Sequence, residues 1–545
     1  MVVFLLQFYE YYYTMAVLGG EILKKIFSFI IVIGAILGII FGIRTAIKNR
    51  SQDEIVVENH SGDNDIHELN IPIMEIDSLN PILTRNKQVS EILSFIYEPL
   101  VSISRDESLI PMLGIEWAPK DDFNWIVKLR KGVKWHNDTE LTARDVIFTV
   151  NSLLSEEVNS VYKSNVSGIV SVEALDEYSV NFTLGAKDDF FIYKLTFPIL
   201  PEHYFKNGDI LNENKNNIPL GTGAYRYVTT NNIDNIIQLE KNPEWWNANE
   251  STNLDTIYLM QYPTYGEAIK AYKSAKVDLI ITSMADWTKK FGTIGNNVYR
   301  FESSTFDTLI PNTKRAILSE SSVRKAILLS LNRENIVQKA FDSNATVADM
   351  PIHNLSKNYF VGLQSDYDVD KAKQVLINAG WKNDGKSWQK NGQKLQFTLL
   401  VNEENVEQLK CAEMIKENLN EMNIEMTIKK MSFANFQNAI ETDNFDMALA
   451  SFDVKNELTI LDIIRSDSPL NYANFSSEKV DEAVQAVSDN YQEKSMQALE
   501  RIYKDETPYI GLLFRNNTLL TNKSVKGSIE PTWSNPYVNI TTFFK

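Results

Sequence analysis

Leu129 to Val146 reads LRKGVKWHNDTELTARDV, and the pattern on either side of its Gly132 decides how the chain folds. Just before it, Phe123 to Leu129 (FNWIVKL) alternates apolar and polar residues, the period of a half-buried strand. Lys131-Gly132 breaks that alternation, and glycine allows the sharp exit a strand end needs. At the other end Thr142 stands as a helix N-cap with Asp145 three residues on. Val146, Val150 and Leu153 then share one helical face. The stretch predicts strand, turn and amphipathic helix in succession.

The same alternation continues outward. Asp368 to Trp381 (DVDKAKQVLINAGW) predicts a helix capped by Asp368 and ended by Gly380, with Ala372, Val375, Leu376 and Ala379 on one face. Ser322 to Phe341 predicts an amphipathic helix or helix pair, with Val323, Ile327, Leu328 and Leu331 inward. Leu395 to Val401 and Phe445 to Phe452 read as buried strands. Strands and helices alternate from about Ile66 onward without a short-period repeat, which predicts a multilobed α/β protein.

Composition narrows the function. Of 545 residues, 44% are apolar and 23% charged, the balance of a folded protein rather than a disordered one. The net charge of −17 argues against nucleic acid as a partner, since phosphates want a basic face. The single cysteine, Cys411, excludes an intrachain disulfide, a Cys-rich zinc site and an iron–sulfur cluster. Lying deep in the chain, it cannot carry an N-terminal lipid either.

The first residues are a different kind of sequence. Ile26 to Ile43 (IFSFIIVIGAILGIIFGI) is 18 residues without a charge, flanked by Lys24 and Lys25 before it and Arg44, Lys48 and Arg50 after it. As a helix it spans about 27 Å, close to a bilayer core of about 30 Å. It predicts a transmembrane anchor at 26–43, preceded by an N-terminal tail over 1–25 and followed by a polar, acidic tether over 44–65. A cleaved signal peptide is the competing reading, though the exit Gly-Ile-Arg-Thr-Ala-Ile-Lys matches a cleavage site poorly. Met15 offers an alternative start to Met1. Without its first 50 residues the chain has 49 basic and 69 acidic residues, a net charge of −20.

Catalytic patterns are missing. There is no Gly-x-Ser-x-Gly elbow, Walker-A loop or Gly-x-Gly-x-x-Gly. His60, His67, His136, His203 and His353 are scattered without metal-ligand spacing and read as solvated or satisfied side chains. Carboxylates are plentiful, but none is singled out as a pair. No catalytic residue, cofactor or metal is expected. Nine Trp, 23 Tyr and 27 Phe suit either a large core or an aromatic binding cleft.

Several strings carry a resemblance. They are Asn80-Pro81, Ile96-Tyr97-Glu98-Pro99-Leu100, Pro111 to Trp117 (PMLGIEW), Leu129 to Val146, Pro219 to Tyr225 (PLGTGAY), Asn242 to Trp246 (NPEWW), Val323 to Ala326 with Asn332-Arg333-Glu334, Tyr367 to Trp381, and Val525-Lys526-Gly527. In this order they resemble the family 5 extracellular solute-binding proteins, the oligopeptide-, dipeptide- and nickel-binding components of ABC transporters. Asn137-Asp138-Thr139 stands where that family usually has Asp-Gly-Thr. The resemblance covers about residues 66–545.

It implies a two-lobed periplasmic-binding-protein-like fold, α/β, closing on a ligand between the lobes. Lobe one is expected over 66–305, with an extra subdomain at about 95–215. Lobe two follows over 306–507, and 508–545 returns to lobe one. Peptide-binding members hold the ligand as an added strand and anchor its amino terminus on an aspartate shortly after an aromatic residue. Here that stretch reads ASFDVKNE, Ala450 to Glu457. Phe452, Asp453 and Glu457 are its ligand-binding candidates, while Lys455 sits near the usual aspartate position. Tyr97 and Trp135, aromatic residues of the matching strings, are further candidates. The implied protein is a monomer anchored in the membrane with its globular part outside. It captures peptides and hands them to ABC permease subunits. The alternatives are an orphan peptide sensor or chaperone and an anchored extracellular hydrolase; nickel or haem binding also occurs in the family.

Overall fold

The computed structural model describes residues 67–545 except 206–209, 232, 234, 248–251, 293–294, 361 and 363. The expected anchor, tail and tether lie outside the described residues. No helix among the described residues is long and apolar enough to cross a membrane.

The opening stretch folds as its local chemistry dictates. The strand runs Asn124–Leu129, and Gly132 takes a φ of 74° at its exit. The helix runs Ala143–Leu154, with the Thr142 N–H donating to Asp145 Oδ2 at 2.9 Å in a capping box. Asp138 occupies the left-handed region at φ 66°, at the turn where the resembling family has glycine. Strand Asn124–Leu129 belongs to an antiparallel sheet with Gly114–Pro119, Ser179–Leu184 and Ile169–Asp176. Val146, Val150 and Leu153 are fully buried beside it. A second sheet combines Glu68–Ile73, parallel to Thr256–Gln261, with Ile236–Lys241 and Tyr225–Asn231. One continuous core joins these two sheets.

The matching strings meet at one buried point of this core. Glu98 accepts the Trp246 indole N–H at 2.8 Å, the Trp245 indole N–H at 3.0 Å and the Thr222 hydroxyl at 2.7 Å. The Gly223 N–H donates to Ile96 O at 2.8 Å, and the His136 N–H donates to Gly221 O at 2.9 Å. The strings around Glu98, His136, Gly221 and Trp246 are therefore parts of one packed node.

The second half is built on parallel pairing. Gln396–Asn402 lies between Met447–Asp453 and Glu425–Met431, with helices Val406–Glu421 and Phe433–Glu441 making the crossovers. Between Ser322 and Phe341 the chain forms a helix pair, Ser321–Ser330 and Arg333–Ala340. Asn332 breaks the run and caps the second helix by accepting the Asn335 N–H. Asp368 caps Val369–Asn378, and Gly380 ends it at φ 89°.

Two long antiparallel strands, Asn296–Pro311 and Ile510–Asn522, join the halves. Their register shifts between Glu302 and Phe306, an irregularity that lets a strand bend. Phe301 and Leu519 pack in the first core, whereas Leu309 and Leu513 pack in the second. Phe306 and Phe514 form a small cluster between them with Ala348 and Val454.

Candidate ligand-binding site between the lobes

A hairpin of the first lobe, Val101–Ile103 paired with Leu109–Pro111, reaches the second lobe with its tip. The Asp106 side chain folds that tip, taking hydrogen bonds from the Ser104 hydroxyl and the Ser108 N–H. Glu107 follows at φ 63° and is only 1% exposed. Two bonds then cross the boundary. Glu107 Oε2 accepts the Glu457 N–H at 2.6 Å, and Asp106 O accepts the Lys357 N–H at 2.9 Å. Beside them Phe190 and Tyr193 of lobe one meet Tyr491 of lobe two edge-on, at 5.2 and 6.1 Å.

Three buried or nearly buried acids gather here. Glu457 accepts the Ser356 hydroxyl and the Asn358 amide, the latter at 2.6 Å. Glu302, on the crossing strand, lies 3.1 Å from Nδ1 of His353. His353 Nε2 lies 3.3 Å from Val454 O, so both ring nitrogens face oxygen acceptors. The imidazole stacks on Phe514 at 4.3 Å and on Trp533 at 5.7 Å. Burial above all pushes the Glu107 carboxyl up to about 7. His353 and the Glu457 N–H pull it down, and Glu457 and Glu302 push it further up. Burial also raises Glu457, against the hydrogen bonds from Ser356 and Asn358.

Polar atoms at this contact lack partners. Glu107 Oε1, Asn354 Oδ1 and Trp533 Nε1 are buried without a hydrogen bond. Such groups are costly to leave unmet, and a ligand's polar groups would complete them. Of these, Glu107 lies on the Glu457 N–H and Trp533 stacks on His353.

The candidates named from the sequence separate in space. Glu457 lies in the lobe contact. Phe452, five residues before Glu457, is half-buried within lobe two, against Tyr472 at 6.1 Å and Tyr509 at 5.4 Å. Asp453 ends its strand opposite Thr305 and is exposed, as is Lys455. Tyr97 and Trp135 are placed in the core of lobe one rather than at the lobe contact. The Tyr97 hydroxyl accepts the Leu220 N–H at 3.1 Å, and the Trp135 ring lies 6.4 Å from His203, so both serve the node that carries the matching strings. Glu107, Glu302 and Trp533 were not legible in advance, and His353 read as an ordinary satisfied histidine. They stand far apart in the chain, and no local pattern marks them. Among the described residues no group of three or more His, Cys, Asp or Glu side chains is placed to hold a metal ion.

The family described as bacterial extracellular solute-binding proteins, family 5 (middle), matches residues 108–465. The chain belongs to this family. It is a binding protein and not an enzyme. The oligopeptide-binding protein AppA of Bacillus subtilis is 28% identical over 424 residues, 74% of this chain and 77% of its own length. The nickel-binding periplasmic protein of Escherichia coli is 28% identical over 348 residues, 60% of this chain and 64% of its own length. The crystal structure of a nickel ABC transporter protein from Bacillus halodurans superposes with a TM-score of 0.75 at 20% identity, covering 88% of this chain and 100% of its own. The two-lobed α/β fold is thus common to the chain and its relatives.

Proposed function

We propose that this family 5 member captures peptides between its two lobes and delivers them to the permease of an ABC importer. The carrying observation is a buried acceptor and a buried donor without partners at the lobe contact, Glu107 Oε1 beside the Glu457 N–H and Trp533 Nε1 on the ring stacked against His353. An extended peptide offers both N–H donors and C=O acceptors, and it gains affinity by main-chain hydrogen bonds. The oligopeptide-binding relative in Bacillus subtilis supports the same choice. Glu457 is the sequence-named candidate that best fits a role at this contact. In this reading lobe one runs to about 305 and lobe two to about 507, the chain works as a monomer, and Ile26 to Ile43 holds it at the membrane with the lobes outside.

Mass spectrometry of small molecules released from the purified protein, followed by calorimetry with tripeptides and with a nickel–histidine chelate, tests the proposal. Short peptides in the released fraction and micromolar or tighter tripeptide binding are expected. Binding of the nickel chelate with none of the peptides would overturn it in favour of metal uptake.

A further inference from the structure

His353 is 2% exposed, and four separate parts of the chain hold its ring. Met350 and Ile352, just before it, pack in a core of lobe two. The imidazole stacks on Phe514 of one crossing strand, with 24° between the ring planes. It also stacks on Trp533, nearly parallel at 5°. Trp533 comes from the C-terminal return, where Ile529 and Tyr537 on either side of it pack in the core of lobe one. Nδ1 is 3.1 Å from Glu302 on the other crossing strand, at the edge of its register shift. Nε2 is 3.3 Å from the Val454 carbonyl of lobe two. Both hydrogen bonds form together only when both ring nitrogens carry protons, and the ring is then a cation. Such a cation is attracted to the face of an indole and to a carboxylate. The charged groups set against it are Glu302 and Glu107. His353 and Trp533 are carried by different cores, so opening the lobes about the bent crossing strands has to part the two rings.

We propose that the His353–Trp533 stack is a latch that holds the lobes closed before any ligand arrives, with Glu302 fixing the imidazole from the crossing strand. His353 is in this role a positioning residue. It sets the balance between closed and open lobes, and ligand enters only through the open fraction. The inference concerns closure alone, and it stands whether the ligand is a peptide or a metal chelate.

Pulsed electron paramagnetic resonance between two spin labels tests this on the ligand-free full chain in detergent. Asp122→Cys places one label on lobe one, and Lys410→Cys places the other on lobe two. Both positions are exposed, whereas the native Cys411 is buried and stays unlabelled. The measurement is made at pH 6.0, below the ordinary histidine value of about 6.5. With His353 and Trp533 in place, one main distance matching the closed contact is expected. His353→Phe keeps an aromatic ring but neither N–H, and Trp533→Leu removes the indole face. In each, a longer distance is expected to become the major population while the far-ultraviolet circular dichroism stays the same. Opening in either folded variant supports the latch. A closed distance that persists in both overturns it, and so does a doubly labelled parent whose main population is already the longer distance. If His353→Phe fails to fold, the parent and Trp533→Leu decide by the same criteria.

Discussion

Glu107 Oε2 accepts the backbone N–H of Glu457 at 2.6 Å, and this bond carries lobe one across to lobe two. Its strength depends on pH with a definite sign. The Glu107 carboxyl rises from an ordinary 4.5 to about 7 in the closed contact, chiefly through burial. The closed state therefore binds the proton more tightly than an open, solvated one. The proton-linked contribution to closure is fully present below about 4.5 and is lost as pH rises through about 7. Ligand-free protein is expected to open between pH 5 and 8, and small-angle scattering should show a larger radius of gyration at the alkaline end. Glu107→Gln should flatten that response; an unchanged response would place the titrating group elsewhere.

Glu98→Ala removes a carboxylate that meets two indole N–H groups and a hydroxyl at one buried node. The loss leaves three donors without their acceptor, the buried Thr222 hydroxyl and two half-buried indoles, at a cost of about 3 kcal/mol or more. Denaturant unfolding should show the midpoint falling. An unchanged midpoint would mean that water replaces the carboxylate there.

Gly221 and Gly132 provide a contrast. A Cβ on Gly221 would lie 1.8 Å from Ile96 O, a backbone atom that cannot step aside. Gly221→Ala is expected to cost about 3 kcal/mol or more, or to abolish soluble expression. A Cβ on Gly132 meets nothing within 4 Å, and only its positive φ opposes substitution. Gly132→Ala should therefore cost only about 1 to 2 kcal/mol, measured by the same unfolding experiment.

The anchor reading makes a cell-fractionation prediction. Full-length protein should pellet with membranes, and a chain beginning at Ser51 should stay in the supernatant. Recovery of the full-length product as a soluble, N-terminally trimmed protein would favour the cleaved signal peptide.

Local elements were legible in the sequence because their causes are local. The strand Asn124–Leu129, the turn at Gly132 and the Thr142–Asp145 capping box all answer to neighbours a few residues away. From Ser322 to Phe341 the apolar pattern fits one helix or two, and the Asn332 side chain decides for two by capping the second. The matching strings were equally legible, but what they encode is scaffold: Tyr97 and Trp135 stand in the packed core of lobe one, within the strings that meet around Glu98.

The lobe contact was less visible, because its parts meet only after folding. Glu107 and Glu457 are 350 positions apart, and Trp533 reaches His353 from the C-terminal return. By itself the sequence determined the α/β pattern, the order of the strings and the apolar segment at 26–43, all of which follow from periodicity and close neighbours. Only the tertiary structure decided which acids are dry. Asp453 and Glu457 are four residues apart, yet the first is exposed and the second buried. That difference is set by where the strand end and the opposing hairpin place low-dielectric surroundings, and no local pattern records it.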